Sequence, residues 1–181
     1  MKEIRIHGRG GQGAVTSSQV LAVAAFLEGK HSQAFPNFGV ERTGAPVMSY
    51  TRISDDKIHI RSHVYEPDYV IVLDPSLIKA VDVTEGLKDS GMLIINSHKQ
   101  AKDLGIKGKF EVKNLDITKV ALEVIGKPFV NIAALAAFAA FTGEVKLETL
   151  KKAIDEKLGD KGKIAELNKQ AADKVYGECK K

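Results

Sequence analysis

Cysteine is nearly missing from this sequence: 181 residues hold one, Cys179, close to the carboxyl terminus. A single thiol makes no internal disulfide, ligates no iron–sulfur cluster and builds no structural zinc site. If the protein takes part in redox chemistry, the electrons travel on something else. Long apolar runs are also missing. The longest, Ile132 to Phe141, is about half what a bilayer span requires, so no membrane partner is expected. The opening MKEIRIHG lacks the charged-then-apolar layout of a secretory signal, and a cytoplasmic location is the expectation. There is no internal repeat and no linker rich in Pro, Gly or Ser. A chain of this length suits one domain over residues 1–181 and is short for two. Positive charge is present but localised. Residues 151–181 hold nine lysines against six acidic residues, which accounts for three of the four net positive charges. No aromatic residues interleave with these lysines, so a solvated helix face is the simpler reading and nucleic acid is not an expected partner.

What remains is ordinary globular composition, 44% apolar and 28% charged. Residues 2–7 read as a first strand, followed by a glycine loop. An apolar-periodic helix over Gln12 to Gly29 comes next, with Val15, Val20, Ala24 and Leu27 on one face. Residues 31–36 form a short second strand. Residues 46–53 and 57–64 suggest a hairpin joined at Ser54-Asp55-Asp56, with Ile58, Ile60 and Val64 on one face of its second arm and His59, Arg61 and His63 on the other. Residues 68–74 and 91–97 read as buried parallel strands with a helical segment at 75–89 between them. A further strand near 109–113 precedes helices at 116–125, 131–142, 147–158 and 161–178. The expected fold class is α/β: a three-layer, Rossmann-like open sheet, mostly parallel, with an added β-hairpin and a helical carboxyl-terminal tail.

Gly8-Arg9-Gly10-Gly11-Gln12-Gly13 satisfies G-x-G-x-x-G between a strand and a helix. Such a loop turns tightly and offers a helix amino terminus to an anion. The dinucleotide fingerprint also needs a carboxylate about twenty positions on, to hold the ribose. HSQAFPNF supplies none, Glu28 falls inside the first helix, and Glu41 lies beyond Pro36. No Lys-Ser or Lys-Thr follows the glycines, so a Walker-type phosphate loop fails too. Two readings stay open: a tight turn with no ligand, or close approach to an anionic group or another polypeptide, with Arg9 and Gln12 adding donors.

The stretch QAFPNFGVERTGAPV, residues 33–47, is the second irregular feature. Its two prolines forbid a regular helix, and long structureless loops in a compact domain are usually functional or flexible. Either Phe35 and Phe38 pack against the sheet with Glu41 and Arg42 as a local ion pair, or the loop meets a ligand or partner. His59, Arg61 and His63 do not suit a metal, because the central guanidinium repels a cation. Asp74 ends a core strand, a place for a functional carboxylate, and could equally cap the helix entered through Pro75. His7 could titrate near neutral pH or be a structural neighbour of the loop.

Taken together, HGRGGQG, QAFPNFGVERTGAPV, YEPDYVIVLD and FVNIAALAAFAAFTG resemble the gamma subunit or gamma domain of 2-oxoacid:ferredoxin oxidoreductases, most of all the pyruvate-specific branch. The likeness runs from Ile4 to about Tyr176, while the tail after Leu158 contributes no pattern of its own. The resemblance implies a multi-subunit enzyme that turns pyruvate and coenzyme A into acetyl-coenzyme A and CO2 and passes electrons to ferredoxin. It implies that thiamine diphosphate, magnesium and the iron–sulfur clusters sit on alpha, beta and delta-type partner subunits, with none held by this chain. It implies further that the chain is inactive alone and lines the active-site entrance, helping to bind coenzyme A. On that footing, backbone donors of Gly8, Gly10, Gly11 and Gly13, with Arg9 and Gln12, would face the anionic end of the coenzyme or a partner loop. Glu41, Arg42 and Thr43 would contact a subunit or close over the coenzyme. Asn131 would cap the Ala-rich helix or turn its amide to the ligand. A stand-alone nucleotide-binding module, or a gamma subunit acting on 2-oxoglutarate, branched-chain 2-oxoacids or indolepyruvate, remains the alternative.

Overall fold

The computed structural model describes residues 1–37 and 43–181; Phe38 to Arg42, and with them Glu41 and Arg42 of the expected site, lie outside the described residues. The sheet has six strands: β1 (Lys2–Arg9), β2 (His31–Pro36), β3 (Pro46–Ser54), β4 (Tyr69–Val72), β5 (Met92–Asn96) and β6 (Glu111–Leu115). Their order is β2-β3-β1-β4-β5-β6. β1, β4, β5 and β6 run parallel, while β3 is antiparallel to both β1 and β2. Five α-helices follow the expected places: α1 (Ala14–Leu27), α2 (Ile117–Ile125), α3 (Asn131–Thr142), α4 (Leu147–Leu158) and α5 (Lys163–Cys179).

Strand alternation sorts the core into two halves. Ile4, Ile6, Ile71 and Ile94 point into one cluster with the five helices. Val70, Val72, Leu93 and Ile95 point the other way and are covered by Leu77, Val83 and Leu87. β4 and β5 are apolar on both faces because both faces are covered. α3 is buried on every side from Ile132 to Ala140. Its alanines let α1 and α5 approach closely, and α5 is packed against it in the same cluster through Ala165, Ala171, Ala172 and Val175. Among the described residues, no helix is long and apolar enough to cross a membrane.

Three expectations need correction. Residues 57–64 are not a strand; β3 has β1 on one edge and β2 on the other, so it has no free edge to offer them. The segment instead runs over Arg52, a fully buried guanidinium that ion-pairs with Glu3 at 2.7 Å and donates to the carbonyls of Ser62 and His63 at 2.8 and 3.3 Å. The hairpin is β2–β3. Residues 75–89 hold only a 3-10 turn, Pro75–Lys79, followed by irregular turns. The Asp82 side chain takes the N–H and hydroxyl of Thr84, and Gly86 sits at φ 68°, where a Cβ would strike the Tyr65 carbonyl; both features break a helix. Finally, the inward face of α1 is only partly the expected one: Val20 and Ala24 are buried and Val15 is half-buried, but the buried side is wider and leaves out Leu27. Ser17, Ser18, Leu21 and Ala25 are buried, and Leu27 is exposed. The small residues allow α1 to lie on β3, where Ser49 and Thr51 donate to the carbonyls of Ala14 and Ser18 at 2.7 and 3.0 Å.

Candidate functional site

β1 ends in the glycine loop, and the loop is held by its own hydrogen bonds. The Arg9 N–H donates to Gln12 Oε1 at 2.7 Å, and the Gln12 N–H returns to the Arg9 carbonyl at 2.9 Å. Gly10 exchanges bonds with the next turn, donating to Ala45 and accepting from Gly44 at 2.8 and 3.1 Å. Gly11 and Gly13 have φ of 92° and 80°, a region where any other L-residue pays about 1–2 kcal/mol. Gly13 carries a second constraint: a Cβ there would lie 2.7 Å from the Asn131 amide nitrogen. Glycine therefore lets the amino termini of α1 and α3 touch, and the buried Ser17 hydroxyl, within 3.1 and 3.2 Å of the Gly13 and Asn131 carbonyls, ties them together.

The expected donors divide into three groups. Gly8 lies within β1, where a Cβ would press on Leu73 and Ala14 at 3.2 and 3.3 Å; its role is close packing. The side chains of Arg9 and Gln12 are both fastened to Asp74, although each residue also lines a cleft beside the loop. Arg9 pairs with Asp74 at 3.0 Å and donates to Ser76 Oγ and the Gly44 carbonyl at 2.7 and 2.9 Å, while the Gln12 amide donates to Asp74 at 3.1 Å. Asp74 is thus the anchor of the loop and at once the cap of the following turn, accepting from the Ser76 N–H at 2.9 Å. Burial alone would raise its carboxyl pKa, but the Ser76, Gln12 and Arg9 contacts outweigh it and hold the group below its ordinary value. The third group does face open space. Gly11, Gln12, Gly13 and Asn131 line a cleft of about 700 Å³, and Arg9, Gly10, Gly11, Gly13 and Thr43 line a smaller one of about 440 Å³ on the other side of the loop.

The larger cleft sits where the carboxyl ends of β1, β4 and β5 meet α3 and α5. The chain leaves β1 toward one side of the sheet and β4 toward the other, so this is the topological switch point at which open α/β sheets bind ligands. Two helix amino termini, those of α1 and α3, open on it. Neither has a side-chain cap nor an acidic residue in its first turn, so their unpaired N–H groups and dipoles present positive potential to the cleft. Asn131 occupies the first position of α3 and does not cap it. β3 lies between β1 and β2, so the position from which a dinucleotide fold holds its ribose carboxylate is not beside this loop.

Sequence inspection passed over the residues that complete the cleft. Asn96, at the carboxyl end of β5, donates to the Leu73 carbonyl and Thr118 Oγ at 2.8 and 2.9 Å and accepts the Thr118 N–H at 3.0 Å, fixing the start of α2. A lone amide closing the apolar run MLIIN was the available signal. Lys161 and Asn168, from the tail, line the far wall and carry no local sequence signature.

Other reactive groups are quiet. His7 is 2% exposed; burial first, and then the Arg5 charge, push its pKa down to about 3, so the imidazole stays neutral at physiological pH. Burial also pushes the Cys179 thiol up to about 11, against thiolate chemistry. Among the described residues, no three His, Cys, Asp or Glu side chains converge as a metal site needs. The main-chain N–H groups of the two bare helix ends suit an anion.

The chain is similar to known proteins along nearly its whole length. The family model described as pyruvate ferredoxin/flavodoxin oxidoreductase matches residues 3–178. The chain is 54% identical to the pyruvate synthase subunit PorC of Methanocaldococcus jannaschii, across 100% of this chain and 98% of that protein. It is 52% identical to the pyruvate/ketoisovalerate oxidoreductases common subunit gamma of Pyrococcus furiosus, across 97% of this chain and 96% of that one. The crystal structure of pyruvate oxidoreductase subunit PORC from Thermotoga maritima superposes with a TM-score of 0.84 at 36% identity, covering 97% of this chain and 95% of that chain. A glycine turn at the switch point, two bare helix ends and a full-length match together carry one conclusion: the chain belongs to the pyruvate ferredoxin/flavodoxin oxidoreductase family, as a gamma-type subunit.

Proposed function

We propose that this subunit receives coenzyme A at the entrance of an active site assembled with alpha, beta and delta-type partners. The whole enzyme would convert pyruvate, coenzyme A and oxidised ferredoxin into acetyl-coenzyme A, CO2 and reduced ferredoxin in the cytoplasm. Thiamine diphosphate, magnesium and iron–sulfur clusters would belong to the partners and supply decarboxylation and electron transfer. This chain's own work is binding and orientation: it holds an anionic co-substrate and does not react with it. Pyruvate is favoured because the PorC relatives carry that name; the gamma subunit common to the pyruvate and ketoisovalerate enzymes of Pyrococcus furiosus supports a 2-oxoacid choice made on other chains.

The observation that carries the proposal is the pair of uncapped helix ends held together at Gly13 and Asn131 over the cleft. A diphosphate is the ligand group that such a pair suits best, since main-chain N–H groups donate charge-assisted bonds to it. Asn131→Asp is nearly isosteric and places a carboxylate between the two helix ends. In the reconstituted complex it should raise the KM for coenzyme A about tenfold, a repulsion of order 1.4 kcal/mol, with kcat and assembly unchanged. An unchanged KM in a fully assembled complex would sink the proposal.

A further inference from the structure

The glycine loop is one pole of the cleft; the other pole is built by the tail. Leu158 ends α4, Lys161 stands on the turn Gly159–Lys161, and Ile164 and Asn168 lie on α5; all four line the same cleft as Gly13 and Asn131. Lys151 pairs with Glu148 and Asp173, Lys169 with Asp155 and Glu166, and Lys174 with Glu123. Lys152, Lys157, Lys161, Lys163, Lys180 and Lys181 make no ion pair among the described residues, and of the tail lysines Lys161 is the one that lines the cleft. Lys161 is exposed at the rim of the cleft, with no carboxylate holding it among the described residues. Asn168 adds an independent sign of a missing partner. It is 3% exposed, its Nδ2 donates to the Ile164 carbonyl at 2.9 Å, and its Oδ1 has no hydrogen-bond partner. A buried carbonyl oxygen without a donor costs free energy, which an N–H on a ligand would recover. Leu158, Ile164 and Phe129 add apolar lining to the cleft.

A cleft with bare helix ends at one pole and an unpaired cation at the other fits a ligand with two separated anionic groups. Coenzyme A has that form: a diphosphate, and a 3′-phosphate set apart on the ribose. We propose that Lys161 binds the 3′-phosphate and so makes this subunit select coenzyme A over 3′-dephospho-coenzyme A. The tail is then part of the binding site as well as cover for α3. The inference rests on the coenzyme A reading above and assigns the specificity to a residue outside every motif.

The test compares the two thiols as co-substrates of the assembled enzyme. Lys161 is exposed, so Lys161→Ala leaves folding intact, which a thermal melt verifies. The preference for coenzyme A, as the ratio of kcat/KM values, should fall about tenfold through a higher KM for coenzyme A alone, the worth of one charge-assisted bond. Lys161→Arg should keep most of the preference. A preference unchanged in Lys161→Ala, or an equal loss for both thiols, overturns the assignment. Asn131→Asp, run in parallel, separates the two failures. If it weakens both thiols while Lys161→Ala alters neither, only the second pole is wrong; if it weakens neither, the coenzyme A reading itself has failed.

Discussion

The two walls of the cleft are specified by different physics. The glycine-loop wall is set by backbone shape: Gly11 and Gly13 hold positive φ, Gly13 admits Asn131, and Asp74 fastens Arg9 and Gln12. Few residue types satisfy such requirements, so the wall is written as a motif. On the tail wall, α4 and α5 need only small or apolar residues at helical spacing to cover α3, a demand many sequences meet. Its polar contributors, Lys161 and Asn168, look like ordinary surface and core positions until the fold brings them opposite Gly13. A binding site can therefore be half conspicuous and half silent without the silent half mattering less.

Removing the silent wall should have the largest effect. A chain ending at Gly162 leaves α3, buried on every side in the intact protein, with an uncovered apolar face. We expect no cooperative unfolding transition and exposed apolar surface by dye binding; a truncated chain that melts like the parent would mean the tail is only an appendage. On the conspicuous wall, Gly13→Val should cost about 2–4 kcal/mol, combining positive-φ strain with displacement of Asn131. Chemical denaturation reads this directly, and Gly11→Ala, with open space around its Cβ, should lose only the strain portion of about 1–2 kcal/mol.

A pH series sharpens the contrast further, because a titratable group buried beneath the glycine loop has no counterpart at the tail corner. His7 has a folded pKa of about 3 against an ordinary 6.5, so below pH 6.5 the unfolded chain binds a proton that the folded one refuses. Stability should fall as pH drops through this window, by about 1.4 kcal/mol per unit. In urea unfolding between pH 7 and 5, His7→Gln should flatten that limb, and an unaltered slope would place the acid sensitivity elsewhere. The smallest effect is expected for Asp74→Asn. It loses the Arg9 pair yet keeps an acceptor for Ser76, at a cost of about 1 kcal/mol. Since the Asp74 carboxyl is held below its ordinary value, this contribution is complete at neutral pH and disappears as pH falls through the depressed value. Wild type and variant should therefore converge in acid and differ at pH 7.

Much of this was legible from residue order. Strands and helices fall near their expected places because β4 and β5 are short apolar runs, α2, α4 and α5 carry helical periodicity, and α3 is an apolar run too long for a strand. The misreadings have two causes: tertiary competition at residues 57–64 and at Arg9, and a local turn at residues 75–89. Residues 57–64 alternate as a strand should, but β3 had no edge left and Arg52 claimed their carbonyls. Residues 75–89 could have formed a helix, but the Asp82–Thr84 turn and Gly86 prevented it. Arg9 looked like an anion donor, yet Asp74, 65 positions away in sequence, took it.

Residue order by itself determined the family, the strand-to-helix glycine turn and the lack of any cysteine set for a cluster, because each depends on local chemistry: backbone freedom, spacing or count. Tertiary structure alone decided which groups meet at the cleft. Arg9 is fastened to Asp74, whereas Lys161 is brought to the cleft rim by α4 and α5, and both placements arise from long-range packing that no stretch of neighbouring residues encodes.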